Sequence, residues 1–385
     1  MNGEILTRFN ADKIMPDSGT LPEGTVVQVH SGRHTPESFA SFLTTFSLET
    51  GLVAALDLVQ KRRFELDSGS RVQTSIKDGD RDPSQQLEVG ESVYVGMGNP
   101  DIEVADHILR PNYNIIGVKQ GETLGLGDTA QMTVTGEDAN GLHGTVFEVD
   151  DKRPKIFSGD GFTAPSWLNE RLPDEPLLSA RDLEFLNAVP ADQRHKLGQV
   201  ALSFVGDPQK VVDAQNVLVK MGYERAEVHL KIETKQAIDQ LEQLANLPGV
   251  NIVFACGDLS EVAKANAGNG TKWQLHNLIG DGLRRLNKIG FNGKTAIAYD
   301  YGENIDSAET QRRYRLLSVL ERRYNRPIGM WHTRIGMKQK TSKDLSNTVN
   351  NSREVAHQNA AELQARVNAL RSIFRSDLSD INTSN

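Results

Sequence analysis

The sequence predicts an α/β protein: a (β/α)8 TIM-type barrel with a small β domain inserted into it. Three observations carry this expectation. From residue 179 onward, short apolar runs alternate with amphipathic helical stretches, the pattern of parallel βα units. Along the whole chain such runs number about eight, which is what a barrel of this kind requires. Between Arg63 and Leu172 the pattern changes to short alternating runs such as SVYVGM, AQMTVTG and GTVFEVD, rich in Gly, Asp, Val and Thr. That stretch reads as a small β-barrel or sandwich.

Taken in order, Glu4 to Phe9 is the first candidate strand and Thr25 to Val29 the second. The segment PESFASFLTTF is a helix leading to the third strand, Leu52 to Leu58. Residues 1–65 are therefore the N-terminal part of the barrel, 66–165 the insertion, 166–376 the rest of the barrel and 377–385 a polar tail. Ser179 has helix-start character, and Gln199 to Val205 (QVALSFV) is the next strand. Asp207 can cap a helix whose first turn suits Pro208, and Gly222 ends that helix. The cycle repeats with the strand Glu227 to Glu233, a helix from Thr234, and the strand Val250 to Cys256. It goes on through a helix holding Leu275, Ile279, Leu283 and Leu286, the strand Thr295 to Tyr299, a helix around Tyr314 to Tyr324, the strand Pro327 to Trp331, and a last helix from about Arg353 to Phe374.

Composition narrows the function classes. Hydrophobic residues are 38% and charged residues 24% of 385, an ordinary balance for a water-soluble globular chain. A net charge of −8 argues against a dominant nucleic-acid surface. The single cysteine, Cys256, excludes a disulfide within the chain and fits a reducing compartment. No apolar run reaches bilayer length, and MNGEILTRFNADK lacks the apolar core of a secretory leader. The expectation is a cytoplasmic protein with no membrane or nucleic-acid partner; self-association is left open.

Barrel enzymes place their chemistry at the carboxyl ends of strands. Lys231 and Glu233, two apart, share one face of their strand, and Asp258 arrives from the next strand roughly 5 Å to the side. Two hard carboxylates can hold Mg2+ or Mn2+ and leave positions for water and substrate. A lysine beside them can neutralise an oxyanion or a phosphoryl oxygen. Gly257 lets the backbone come close to a ligand. On spacing alone, the trio reads equally well as an ion pair that seals the mouth of the barrel. Asp300, at the end of the strand TAIAY, is a candidate third ligand or general acid, weighed against a helix cap. Cys256 reads as a small strand residue rather than a nucleophile.

The strings ALSFV followed by Asp207-Pro208, then HLKIE, then FACGDL, occur in that order. They resemble the S-F-V, K-I-E and G-D-L segments of the pyruvate kinase family. VQVHSGRH (27–34) and VAALDLVQKRR (53–63) are similar to that family's upstream segments, and the inserted β module falls where the family carries its lid. The resemblance implies a phosphotransferase acting on phosphoenolpyruvate or pyruvate with ADP or ATP. In it Lys231 assists phosphoryl transfer, Glu233 and Asp258 ligate the metal, and Ser203, Ala255 and Gly257 contact substrate. The family's phosphate-binding arginine falls at Val26. Its potassium ligands fall at Gln28, His30, Asp57 and Leu58, of which Asp57 alone keeps the residue type, and Asp300 stands where the family has a proton-donating threonine. Arg33 and Arg63 are candidates to replace the missing charge, weighed against ordinary surface arginines. The family's C-terminal regulatory domain has no counterpart. The alternatives are a metal-dependent lyase or aldolase working through a pyruvate enolate, and a catalytically silent barrel.

Overall fold

The computed structural model describes residues 5–8, 26–30, 36–46, 53–58, 64–66, 84–96, 105–111, 118–127, 129–139, 141–151, 154–157, 162–169, 176–265, 272–299, 316–317 and 319–332. The chain opens with β1 (Ile5–Arg8), β2 (Val26–His30), α1 (Pro36–Thr45) and β3 (Val53–Leu58). The insertion follows, as β4 (Phe64–Leu66), β5 (Ser84–Gln86), β6 (Ser92–Gly96), β7 (His107–Pro111), β8 (Thr123–Leu126), β9 (Ala130–Glu137), β10 (Gly141–Val149), β11 (Lys155–Phe157) and β12 (Phe162–Thr163). Two helices, α2 (Pro165–Asn169) and α3 (Ala180–Ala188), and a 3-10 turn at Ala191–Lys196 lead back to β13 (Leu197–Leu202). Then come α4 (Pro208–Lys220), β14 (Glu227–Ile232), α5 (Lys235–Asp239), α6 (Leu241–Ala245), β15 (Val250–Ala255), α7 (Cys256–Ala265), α8 (Lys272–Lys288), β16 (Thr295–Tyr299) and β17 (Ile328–His332). Residues 316–317 and 319–324 are helical as well. The expected last helix, 353–374, lies outside the described residues.

The local signals act where the sequence places them. Ser179 caps α3 in a full capping box, its hydroxyl accepting from the Asp182 N–H while Asp182 accepts from the Ser179 N–H. Asp207 accepts from the Gln209 N–H at the start of α4, with Pro208 in the first turn. That helix ends as a Schellman motif: Gly222, at φ +83°, donates to Val219, and Tyr223 donates to Leu218. Val211, Ala214 and Leu218, at helical spacing, form its buried stripe.

The result is a mixed α/β protein on one parallel sheet. Its strand order is β1-β17-β16-β15-β14-β13-β3-β2, and the pairing of β1 with β2 as well as β17 returns the order on itself. Strand alternation sorts the side chains into two layers. Leu56, Val200, Leu202, Leu230, Ile232, Ile252, Phe254 and Ile297 face the helices in one continuous core with Phe39, Phe185, Leu241 and Leu283. Each such side chain contributes on the order of 1.5–3 kcal/mol when fully buried. The opposite, inner face is lined by smaller groups: Val26, Ala55, Ala201, Val253, Ala296 and Ala298.

The insertion is a seven-stranded sheet of order β12-β8-β9-β10-β6-β7-β4, antiparallel except for β6 beside β7, with a separate ribbon of β5 and β11. Among the described residues the ribbon packs on the sheet, with Ile156 in the same core. Its core holds Leu87, Val95, Leu109, Leu124, Met132 and Val146. Buried His107 of β7 ties ribbon to sheet, with Nδ1 3.2 Å from Gln85 Oε1 and Nε2 2.8 Å from Glu91 Oε2.

Near the amino end of β14, Glu227 receives hydrogen bonds from His229 and Lys294, which hold its carboxyl pKa down at about 2, against an ordinary 4.5. Stability from a lowered carboxylate is present above its unfolded pKa and lost as pH falls through the folded one. Glu227 is 42% exposed, so solvent screening limits the effect to about 1 kcal/mol or less. Urea midpoints of the wild type and Glu227→Gln should therefore differ slightly above pH 4.5 and converge toward pH 2.

Candidate active site

The site is assembled from the carboxyl ends of β13, β14 and β15. β14 ends at Ile232, and Thr234 closes the corner by accepting the Ala237 N–H on its hydroxyl at 3.0 Å as α5 begins. Glu233 is held between these two fixed points. Lys231 and Glu233 project to the inner face, the face that Val253 and Ala296 occupy in register with Lys231. Both are buried, at 7% and 2% exposure.

β13 ends at Leu202, earlier than the sequence suggested, because the chain leaves the extended conformation at Phe204, where φ is +52°. Ser203 still donates its N–H to Leu58 of β3 at 3.3 Å. Its hydroxyl accepts from Lys231 Nζ at 2.9 Å. The Phe204 N–H donates to Glu233 Oε2 at 2.7 Å, and Lys231 Nζ lies 2.9 Å from Glu233 Oε1. Both oxygens of this carboxylate are thus engaged, one by an ammonium and one by a backbone donor.

Asp258 was expected at a strand end. It lies instead in the first turn of α7, because β15 passes straight into that helix at Cys256. An acidic residue in the first turn is favourably placed toward the helix dipole. Asp258 is partly exposed and close enough for its charge to act on Glu233. Burial pushes the Glu233 pKa above its ordinary 4.5; Lys231 pulls against this, the Asp258 charge adds to it, and the Phe204 N–H opposes it.

One ammonium among two carboxylates leaves a formal excess of one negative charge. Hard oxygen donors of that charge suit Mg2+ or Mn2+ rather than a soft metal. Among the described residues no group of three or more His, Cys, Asp or Glu side chains gathers to hold an ion. A hard cation at this corner would have the Glu233 and Asp258 carboxylates as its protein donors, with its other positions left to water and substrate.

The other expected residues fall as follows. Ala255 is the buried last residue of β15 and Gly257 lies in the first turn of α7, both beside the site. Ser203 is 1% exposed, with its hydroxyl turned to Lys231. Gln28 lies in β2 opposite Ala55, and Asp57 in β3 opposite Ala201. Asp300, Arg33 and Arg63 lie outside the described residues. Phe204 carries no sequence signal for its place here, since no residue-type preference marks a phenylalanine for a left-handed backbone. No protein-family model matches the chain, and no curated protein matches it.

Replacing Lys231 by Met leaves Glu233 buried beside Asp258 without its counter-charge. Breaking a buried pair in this way costs about 3–5 kcal/mol. A thermal melt of Lys231→Met at neutral pH should show a lowered Tm, and the deficit should shrink in acid, where Glu233 is protonated.

Proposed function

We propose that the protein is an enzyme on a (β/α)8 barrel with a lid-like β insertion. Its reaction is divalent-metal-dependent phosphotransfer between phosphoenolpyruvate, or a related enolate, and ADP or ATP, carried out in the cytoplasm. The observation that carries this reading is the buried Lys231–Glu233 pair at the carboxyl end of β14 with Asp258 beside it. Glu233 and Asp258 would hold Mg2+ or Mn2+, which when bound supplies Lewis acidity to an enolate or phosphoryl oxygen. Lys231 presents an ammonium steered by Ser203 and Glu233, and an anionic oxygen of the substrate competes for it. Ala255 and Gly257 bring backbone to the substrate, and Asp300, just beyond β16, is the candidate proton donor. Among the described residues no helix is long and apolar enough to cross a membrane.

One observation favours a second reading, a lyase or aldolase acting through a pyruvate enolate at the same site. Lys231 is already engaged by Ser203 and Glu233, and the trio has a formal excess of negative charge. A singly charged oxo acid asks less of such a site than a multiply charged phosphate ester does.

The first reading predicts that the protein releases pyruvate from phosphoenolpyruvate with ADP and Mg2+, and that Lys231→Met abolishes this. The assay is run with and without potassium, because Asp57 alone keeps a potassium-ligand residue type. Absence of pyruvate under both conditions overturns phosphotransfer. Calorimetric binding of pyruvate that needs Mg2+ and ignores ADP would then favour the lyase.

A further inference from the structure

We propose that Phe204 is a positioning residue, whose left-handed backbone serves to orient the Glu233 carboxylate for a divalent cation. The proposal rests on the metal reading of the site for its purpose, and on the geometry of the corner for its content. A left-handed conformation costs a side-chain-bearing residue of order 1–3 kcal/mol and persists only where neighbouring structure enforces it. Here the enforcement is visible on both sides. Ser203 is tied back to Leu58 of β3 through its N–H, and Val205 is fully buried in the helix-facing core.

The peptide joining Ser203 to Phe204 turns out of the strand ladder, and the positive φ of Phe204 lets the chain return from that peptide to bury Val205. The N–H of that turned peptide meets the Glu233 side chain at 2.7 Å. The adjoining Ser203 hydroxyl takes a hydrogen bond from Lys231 in the same corner. Two consecutive residues of one strand end therefore address both members of the buried pair on the next. A carboxylate offers about four lone-pair directions. With Oε1 held by Lys231 and Oε2 by Phe204, the plane of the group is fixed and so are its remaining directions. The contact to Glu233 is made by the Phe204 backbone rather than by its ring.

That distinction gives the test. Phe204→Gly and Phe204→Val both remove the ring. Gly accepts a positive φ freely, whereas a β-branched residue there is a severe outlier. Mn2+ binding is read by loss of the free-ion electron paramagnetic signal, and the Glu233 rotamer by crystal structures of both variants. Phe204→Gly should keep the affinity of the wild type and its Glu233 rotamer. Phe204→Val should weaken Mn2+ by about tenfold to a hundredfold, the usual effect of losing an outer-shell partner, with Glu233 displaced. If Phe204→Val does not fold, Phe204→Thr carries a milder form of the same β-branched penalty, and its Mn2+ affinity should fall between that of Phe204→Gly and the hundredfold loss. Equal weakening in the Gly and Val variants would assign the effect to the ring and overturn the proposal. An unmoved Glu233 in Phe204→Val would overturn it too. Failure of the wild type to bind Mn2+ removes the metal reading, and the rotamers still decide whether residue 204 sets the carboxylate.

Discussion

Burying an ammonium and a carboxylate two residues apart on one strand is costly unless each finds further hydrogen bonds. The desolvation cost runs to several kcal/mol per ion, and the attraction between the two repays it only in good geometry. The chain around β14 is bound by that requirement. β13 must end at the height where Ser203 Oγ meets Lys231 and the Phe204 N–H meets Glu233. β15 passes into a helix at Cys256 and brings the Asp258 charge within reach of Glu233, which adds to the cost these hydrogen bonds offset. The turn into α5 must fix Glu233 from below through Thr234. Two connections of otherwise ordinary βα units, the end of β13 and the corner into α5, are shaped by one pair of charges.

Much of this was legible from residue types. The alternation of apolar runs with amphipathic stretches marks β13 to β16, and caps such as Ser179 and Asp207 mark where helices start, because these signals are local. The sharing of a face by Lys231 and Glu233 also follows from strand geometry. Less legible were features set by tertiary contact. Asp258 sits on a helix rather than a strand end because Cys256 can serve either element, and packing decides between them. The backbone of Phe204 is set by what lies on either side of it. In the insertion, short β runs mark strands without saying how they pair, because partners such as β6 and β10 or β5 and β11 lie far apart in sequence.

The insertion has an organisation of its own. Its apolar core is separate from the two layers of the parallel sheet. Its polar centre is His107, buried between Gln85 and Glu91, which joins two strand groups that share no backbone ladder. A unit that carries its own core and leaves the sheet after β3 can differ in internal detail without disturbing the strand ends that build the site.

The inner face of β14 has a final consequence, for folding rather than chemistry. Glu227, His229, Lys231 and Glu233 recur at every second position, while Val228, Leu230 and Ile232 face the helices. A slip of one residue would exchange the two sets, driving four ionisable groups into the helix layer and three aliphatic ones inward. β14 thus works as a key cut on one edge: it fits between β13 and β15 in a single alignment, and the neighbours that dock on it inherit that alignment.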